Sequence, residues 1–212
     1  MIRRALAVGA ALLGLAGVVL AQEGQDGAVT LQVCFNYGCI AQAEVTFAPQ
    51  QLAEIAGALR ARDAAEERAL LGPAIGRLYA WAGAQSPIAA DKGGNLADEA
   101  VYGRMDCIDH SLTTTRFLRL LEARGMLRYH SVDERVLRSR FLFFEHYAAQ
   151  IVERDVAPRA QAGVVASDVQ PVDAGLAAAR FAVDSWFFDN GQPAVILPLA
   201  DWKAGEGPDV GW

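Results

Sequence analysis

The chain has 212 residues, of which 53% are hydrophobic, and its 19 basic and 25 acidic side chains give a formal charge of −6. This length is sufficient for a hydrophobic core of ordinary size, so the fold need not depend on disulfides or metals. The negative balance argues against nucleic acid and against anionic membrane surfaces as partners.

The N-terminus predicts export. Arg3 and Arg4 form a basic start, residues 5–20 are apolar and uncharged, and small side chains end the run. These features are typical of a cleaved signal peptide, and the alternative, an uncleaved membrane anchor, needs an apolar run of about 20 residues. We expect residues 1–21 to be a signal peptide and residues 22–212 to form a single domain in the periplasm or outside the cell. No later segment is apolar for long enough to span a bilayer.

A hairpin is predicted next. Residues 29–35 and 40–47 alternate apolar and polar side chains, as strands do, and residues 36–38 between them favour a turn. Cys34 and Cys39 flank that turn, and in an oxidising compartment a disulfide between them would restrain the hairpin. The alternatives are two reduced thiols or half of a zinc site. The zinc site is the weaker alternative because the chain has no second cysteine pair and only three histidines.

Helices are predicted after the hairpin. Residues 49–71 are rich in Ala, Leu, Glu and Arg, with apolar side chains spaced for one helical face. Gly72-Pro73 is a signal that ends the helix there. A second, shorter helix is expected over residues 74–82, followed by a loop over residues 85–95.

A third helix is expected from Asp106 to Arg124, with β character after it. The predicted strands are residues 126–132, 141–152, 181–188 and 194–199. Residues 158–179 are predicted to be an insertion or a mobile loop without an assigned structure, and residues 205–212 a tail. The pattern predicts the α+β class: an N-terminal hairpin and helices, then a helix carrying Cys107 packed on an antiparallel sheet.

Cys107 falls in the first turn of the third helix. Asp106 is a good N-cap residue, and Asp109 can complete a capping box. The backbone N–H groups and the helix dipole at such a position favour a thiolate, so we expect a lowered thiol pKa and a candidate nucleophile. The two carboxylates oppose this effect. A cationic partner is therefore needed, and histidine is the obvious one.

Three histidines are available as that partner. His110 lies one turn along the helix from Cys107 and is more simply a helix-surface or capping residue. His130 and His146 lie on predicted strands, where an imidazole can be held rigidly or serve a structural role. Asp184 lies in a strongly apolar strand, where a carboxylate is unfavourable unless a partner such as an imidazole is adjacent. Capping of a turn is the alternative role for Asp184.

The order of a cysteine at a helix start, a histidine at a strand start and an aspartate on the next strand resembles the transglutaminase-like branch of the papain-like cysteine enzymes. The matching segments are Asp106-Cys107-Ile108-Asp109, His146 to Glu153 and Val183-Asp184-Ser185-Trp186. The resemblance implies that Cys107 is the nucleophile, His146 the base and Asp184 the residue that orients it. Two departures from the family pattern are Tyr147 directly after His146, and Ser185 in place of the usual proline.

The resemblance implies an exported cysteine-dependent acyl-transfer enzyme, either a peptidase or amidase or a transglutaminase. Its substrate would be a peptide or protein of the bacterial envelope, and no cofactor or metal is expected. A transglutaminase-like module that has lost catalysis and binds or assembles envelope components is the alternative. A thiol-redox protein is a weaker third hypothesis because Cys107 has no C-x-x-C partner.

Overall fold

The described part of the chain contains two antiparallel sheets, four α-helices and a short 3₁₀ helix, Pro87–Ala90. In this computed structural model the described residues are 22–23, 27–94, 98–140, 144–154 and 179–208. The expected signal peptide lies outside these ranges, as does nearly all of the stretch 158–179. The class is α+β, as the sequence predicts.

The first sheet is built on the predicted hairpin. Its strands are β1 (Gln22–Glu23), β2 (Val29–Phe35) and β3 (Ala41–Phe47), in the order β1-β2-β3. The alternate residues Val29, Leu31 and Val33 of β2 are buried. The pattern of alternating side chains therefore sets which face of the hairpin meets the core.

The helical segment after the hairpin differs from the prediction. Helix α1 spans Pro49–Ala58 and helix α2 spans Ala64–Gly83. The predicted helix over residues 49–71 is thus interrupted before α2, where Asp63 caps the new helix by accepting the Glu66 N–H at 2.8 Å. The predicted stop at Gly72-Pro73 is wrong, because α2 continues through both residues.

Gly72 fits inside α2 because another segment approaches it there. Its carbonyl accepts the Ala194 N–H at 3.1 Å. A Cβ at Gly72 would lie 2.6 Å from the Ala194 carbonyl oxygen, so only glycine leaves room for this approach. Although Pro73 removes an N–H donor from the helix, these tertiary contacts outweigh the local stop signal.

The second sheet contains four antiparallel strands in chain order. They are β4 (His130–Arg140), β5 (Phe144–Glu153), β6 (Arg180–Asp184) and β7 (Val195–Pro198). β4 begins later than predicted and continues through a charged stretch, with a bulge between Asp133 and Val136. β6 ends earlier than predicted because the Trp186 N–H turns back to the Asp184 carboxylate at 3.2 Å.

Helix α3, Cys107–Ala123, lies between the two sheets. It contacts β2 of the first sheet and β4 and β5 of the second, so one hydrophobic core joins them. Helix α4, Leu199–Ala204, covers the other face of the second sheet and is absent from the sequence-based prediction. Its Trp202 is buried against Ala148 and Ala182. Across the described ranges, none of the helices has the length and apolar character needed to cross a membrane.

Candidate active site

Cys107 is the first residue of α3, as the sequence predicts. Asp106 Oδ1 accepts the Asp109 N–H at 2.8 Å, and Asp109 Oδ2 accepts the Asp106 N–H at 3.2 Å. This reciprocal capping box fixes where the helix begins. The N–H of Cys107 lies outside the helix's own hydrogen-bond ladder because it belongs to the first turn.

His146 on β5 and Asp184 at the end of β6 form a buried pair. Their Nε2 and Oδ2 atoms are 2.6 Å apart, and the side chains are 5% and 1% exposed. Burial acts to raise the pKa of Asp184, but the charge and hydrogen bond of His146 outweigh it and hold that pKa below its ordinary value. Because an ionised carboxylate can only accept, Nε2 of His146 is the donor in this bond.

Three aromatic side chains surround the His146 ring. The ring centroids of Trp186, Trp202 and Phe187 lie 4.9, 5.7 and 5.9 Å from that of the imidazole. Trp202 also donates its indole N–H to Asp184 Oδ2 at 2.9 Å. The pair is therefore held in a desolvated enclosure, where hydrogen bonds and charges interact more strongly than in water.

The Cys107 sulfur lies against the backbone on either side of His146. Its Sγ is 3.9 Å from the Glu145 carbonyl oxygen, and the Tyr147 N–H also interacts with it. The pairing of β5 with β6 runs from Ala149 to Val152, so β6 does not cover this stretch of backbone. The fold thus gathers the start of α3, the start of β5 and the end of β6 in one region.

The pKa of the Cys107 thiol differs from the expectation. Burial raises it to about 11, and the carboxylates of Asp106 and Asp184 add to the rise, whereas the Tyr147 N–H acts in the opposite direction. The expected lowering at the helix start is therefore wrong for the resting protein. A helix terminus contributes only about 0.3–1 kcal/mol at an exposed site, which desolvation and two negative charges outweigh.

His130 has a different set of partners from His146. Its Nδ1 is 2.8 Å from Glu67 Oε1, and its Nε2 is 3.1 Å from Arg68. Glu67 also accepts the Arg128 N–H at 2.7 Å. These bonds attach the start of β4 to α2, so the contacts of His130 are those of a structural residue.

His110 is buried, not exposed on the helix surface as expected. Its Nε2 is 2.9 Å from Asp91 Oδ2, and its Nδ1 is 2.9 Å from Ser185 Oγ. Burial acts to lower the pKa of His110, but the charge of Asp91 outweighs it and raises that pKa. Sequence reasoning missed this network because Asp91 lies in a predicted loop. The one available signal was Ser185, a hydroxyl in place of the family's proline.

A cavity of about 430 Å³ lies elsewhere, between α1 and the C-terminal end of α3. Leu52, Arg60, Arg124 and Met126 are among the residues that line it, and the cavity shares no lining residue with the region around Cys107. Its volume is in the range of small-molecule sites. Cys107 and the buried His–Asp pair lie outside it, so we take the Cys107 region as the candidate active site.

Comparisons with known proteins add no family assignment. No protein-family model matches the chain, no curated protein matches it, and no solved structure matches it. The functional interpretation therefore depends on the residues of the site and on the resemblance of their order to that of the transglutaminase-like enzymes.

Proposed function

We propose that the protein is an exported cysteine-dependent acyl-transfer enzyme with a transglutaminase-like fold, using Cys107, His146 and Asp184. The observation that carries the proposal is the 2.6 Å bond between His146 Nε2 and Asp184 Oδ2, beside the helix end that presents Cys107. General-base catalysis by histidine requires an imidazole held in one tautomer and one orientation, and a buried carboxylate supplies both.

In the proposed reaction, the Cys107 sulfur attacks a carboxamide or peptide carbonyl while Nδ1 of His146 takes the thiol proton. That proton passes to the leaving amine as the C–N bond breaks, and a thioester remains. Water or a second amine then attacks the thioester and gives its proton to His146, which returns it to the sulfur as the C–S bond breaks. Asp184 stays ionised and stabilises the imidazolium.

The high pKa of the thiol determines when the proton leaves. With a pKa of about 11, only about one thiol in ten thousand is ionised at pH 7. In the proposed reaction the sulfur therefore loses its proton to His146 during attack rather than beforehand. In the resting protein the Cys107 N–H interacts with the Cys107 thiol; in the proposed reaction it turns to the oxyanion, since such donors act where charge develops.

Export is part of the proposal. The disulfide between Cys34 and Cys39 supports an oxidising compartment, such as the periplasm or the cell exterior. This agrees with the signal peptide that the sequence predicts. Peptides or proteins of the envelope are then the substrate class that the compartment favours.

A transglutaminase-like module without catalytic activity, acting in binding or assembly, is the second candidate. The observation that favours it is the Cys107 thiol itself, which is half-buried, has a raised pKa and packs against a carbonyl oxygen. Buried cysteines with these properties are usually inert. The two candidates differ in whether His146 controls the reactivity of Cys107.

Alkylation of Cys107 distinguishes the two candidates without a known substrate. The rate of iodoacetamide addition at Cys107 is measured by peptide mass spectrometry between pH 6 and pH 9 in the parent and in His146→Gln. If His146 is the proton acceptor, the variant reacts about tenfold or more slowly across this range.

His130→Gln is the matched control because His130 is also a buried histidine bonded to a carboxylate. We expect it to lower the melting temperature and to leave the Cys107 rate unchanged at temperatures where it is folded. Equal Cys107 rates in the parent and His146→Gln would contradict the enzyme and favour the binding module.

A further inference from the structure

The turn of the first hairpin is a strained segment. Asn36, Tyr37, Gly38 and Cys39 have φ values of 63, 65, 65 and 59°. Glycine adopts this left-handed region readily, whereas each of the other three residues is disfavoured there by about 1 kcal/mol or more. Such a conformation persists only where the surrounding structure holds it.

Three hydrogen bonds hold this turn against the start of α3. The N–H groups of Tyr37 and Cys39 donate to the Asp109 carboxylate at 2.8 and 2.6 Å, and the N–H of Gly38 donates to Asp106 Oδ2 at 2.9 Å. Successive N–H groups in turns with such backbone angles form concave anion sites. Here the anions are the two carboxylates of the helix capping box.

The Cys34–Cys39 disulfide closes the turn and lies along the same helix. At its other end, the Cys34 N–H donates to Thr113 Oγ1 at 3.0 Å, and Arg116 donates to the Cys34 sulfur at 3.2 Å. A carboxylate oxygen of Asp109 lies within 4.8 Å of both sulfurs. Because the sulfurs are joined to each other, this group is not the thiolate half-site for zinc that the sequence left as an alternative.

These contacts act on the charges that surround the candidate nucleophile. The Asp106 carboxylate helps to raise the pKa of Cys107. Burial, and after it the charge of Asp106, raise the pKa of Asp109 to about 6. The Gly38 N–H stabilises the Asp106 carboxylate and so reduces the negative potential at the sulfur. The Tyr37 and Cys39 N–H groups stabilise Asp109, next to Asp106 in the capping box. Without these hydrogen bonds from the turn, the negative potential at the Cys107 sulfur would be larger and the thiolate less favourable.

We propose that the disulfide-closed turn, residues 36–39, is a redox-sensitive positioning device that keeps Cys107 reactive while Cys34 and Cys39 are oxidised. A dithiol reductant transfers two electrons and two protons to the disulfide, forming two protein thiols and its own disulfide. The strained turn then relaxes and releases Asp106 and Asp109. The inference rests on the proposed function, because Cys107 is taken as the nucleophile.

The test compares Cys107 alkylation in the oxidised parent with that in the double variant Cys34→Ser/Cys39→Ser. Iodoacetamide addition at Cys107 is followed by peptide mass spectrometry from pH 7 to pH 11. The expected result is a rate about threefold lower at each pH from 7 to 10, which corresponds to a rise of about half a unit in the thiol pKa, since one pKa unit is a tenfold change. The parent reduced with dithiothreitol and desalted without air should show the same change.

Two variants separate positioning from general stability. Thr46→Val removes the Thr30–Thr46 hydroxyl bond at the far end of the same hairpin and should leave the Cys107 rate unchanged. Gly38→Ala keeps the disulfide and places its Cβ in open space, so it only adds strain to the turn. The Gly38→Ala variant should lower the alkylation rate of Cys107, as the double variant does, but by a smaller factor. If the double variant does not fold, the result for Gly38→Ala decides whether the proposal holds.

If loss of the disulfide lowers the melting temperature while the alkylation rate of Cys107 stays unchanged from pH 7 to pH 10, the proposal is overturned. This test measures alkylation of Cys107 and does not require a substrate or catalytic turnover. If removal of the disulfide slows Cys107 but His146→Gln does not, the positioning device stands and the enzyme fails. If His146→Gln slows Cys107 but removal of the disulfide does not, the proposed enzyme function stands and the proposed positioning role of the turn is wrong.

Discussion

The Asp184 carboxylate contacts the imidazole of the candidate site and also holds the local backbone in place. Its Oδ2 accepts the Nε2–H of His146 and the indole N–H of Trp202, and its Oδ1 accepts the Trp186 N–H. Three donors converge on a side chain that can only accept while ionised. The residue therefore orients the imidazole and also fixes the end of β6.

Replacement of Asp184 by asparagine should reduce both reactivity and stability. The amide presents two N–H groups and one oxygen to three donors, so at least one buried donor loses its partner and the free energy of unfolding falls by about 1–3 kcal/mol. The amide also cannot stabilise an imidazolium, and a change of this kind in a triad lowers turnover by about 10⁴. Chemical denaturation and hydrolysis of a p-nitrophenyl ester measure the two effects.

Asp133→Asn is the matched control for this change. Asp133 lies on the same sheet and accepts hydrogen bonds from Gln150 and Arg180. The control should lower stability while leaving ester hydrolysis at the parent rate. An Asp184→Asn protein that is less stable but equally active would show that Asp184 is only structural.

The site residues differ in how far the sequence could indicate them. Asp184 could be identified from the sequence because an acid in an apolar strand needs a partner. Cys107 could be identified because Asp106 marks the start of a helix. The direction of the Cys107 pKa shift was not predictable, because it depends on how deeply the thiol is buried and on the Asp184 carboxylate at the end of β6. Nothing in the sequence around Asp91 indicates that it is the hydrogen-bond partner of His110.

At the scale of elements, the predicted helices and strands agree with the structure where no tertiary contact opposes the local sequence signal. The hairpin and α3 agree because alternating side chains and a capping box set them. The boundary within residues 49–83 was wrong because the Ala194 segment packs onto Gly72. Helix α4 was missed because its stability comes mainly from one buried residue, Trp202, rather than from a long periodic pattern.

The close approach at Gly72 predicts opposite effects for two helical glycines. Gly72→Ala places a Cβ 2.6 Å from a backbone oxygen, so the chain must shift and the free energy of unfolding should fall by about 1–3 kcal/mol. Gly57→Ala, in α1, meets nothing within 4 Å and should raise it by about 0.4–1 kcal/mol. Chemical denaturation of both variants tests this, and equal effects would show that the Ala194 contact is not tight.

At the scale of the whole molecule, all three histidines are buried and each is bonded to a carboxylate. The pairs are His110–Asp91, His130–Glu67 and His146–Asp184. Each pair joins segments distant in sequence, and together they connect α2, α3 and the second sheet. Sequence patterns could indicate the α+β class but not these pairings, because the pairings depend on the tertiary arrangement of the elements.

His110 should make stability depend on pH. Its pKa in the folded protein is raised, so its contribution is fully present below the unfolded pKa of about 6.5 and is lost as pH rises through the folded pKa. Asp109, with a pKa of about 6, titrates below this window, and Cys107 titrates above about 8.5. The free energy of unfolding should therefore fall between about pH 6.5 and 8.5.

The variant His110→Gln isolates this effect. It should be less stable than the parent at pH 6.5, and its free energy of unfolding should change less with pH over the same window, the slope for one group being at most about 1.4 kcal/mol per pH unit. Urea denaturation at several pH values provides the comparison. Parallel curves for the two proteins would mean that His110 does not titrate there.

The central claim, that Cys107 forms an acyl-enzyme with His146 as the base, is tested most directly by intact mass spectrometry during reaction with p-nitrophenyl acetate. The proposed function predicts one acetyl adduct on Cys107 in the parent, which decays with time and faster when hydroxylamine is added. In His146→Gln the adduct should form about 10²-fold or more slowly. An adduct that forms at the same rate in both proteins, or on residues other than Cys107, would contradict the account.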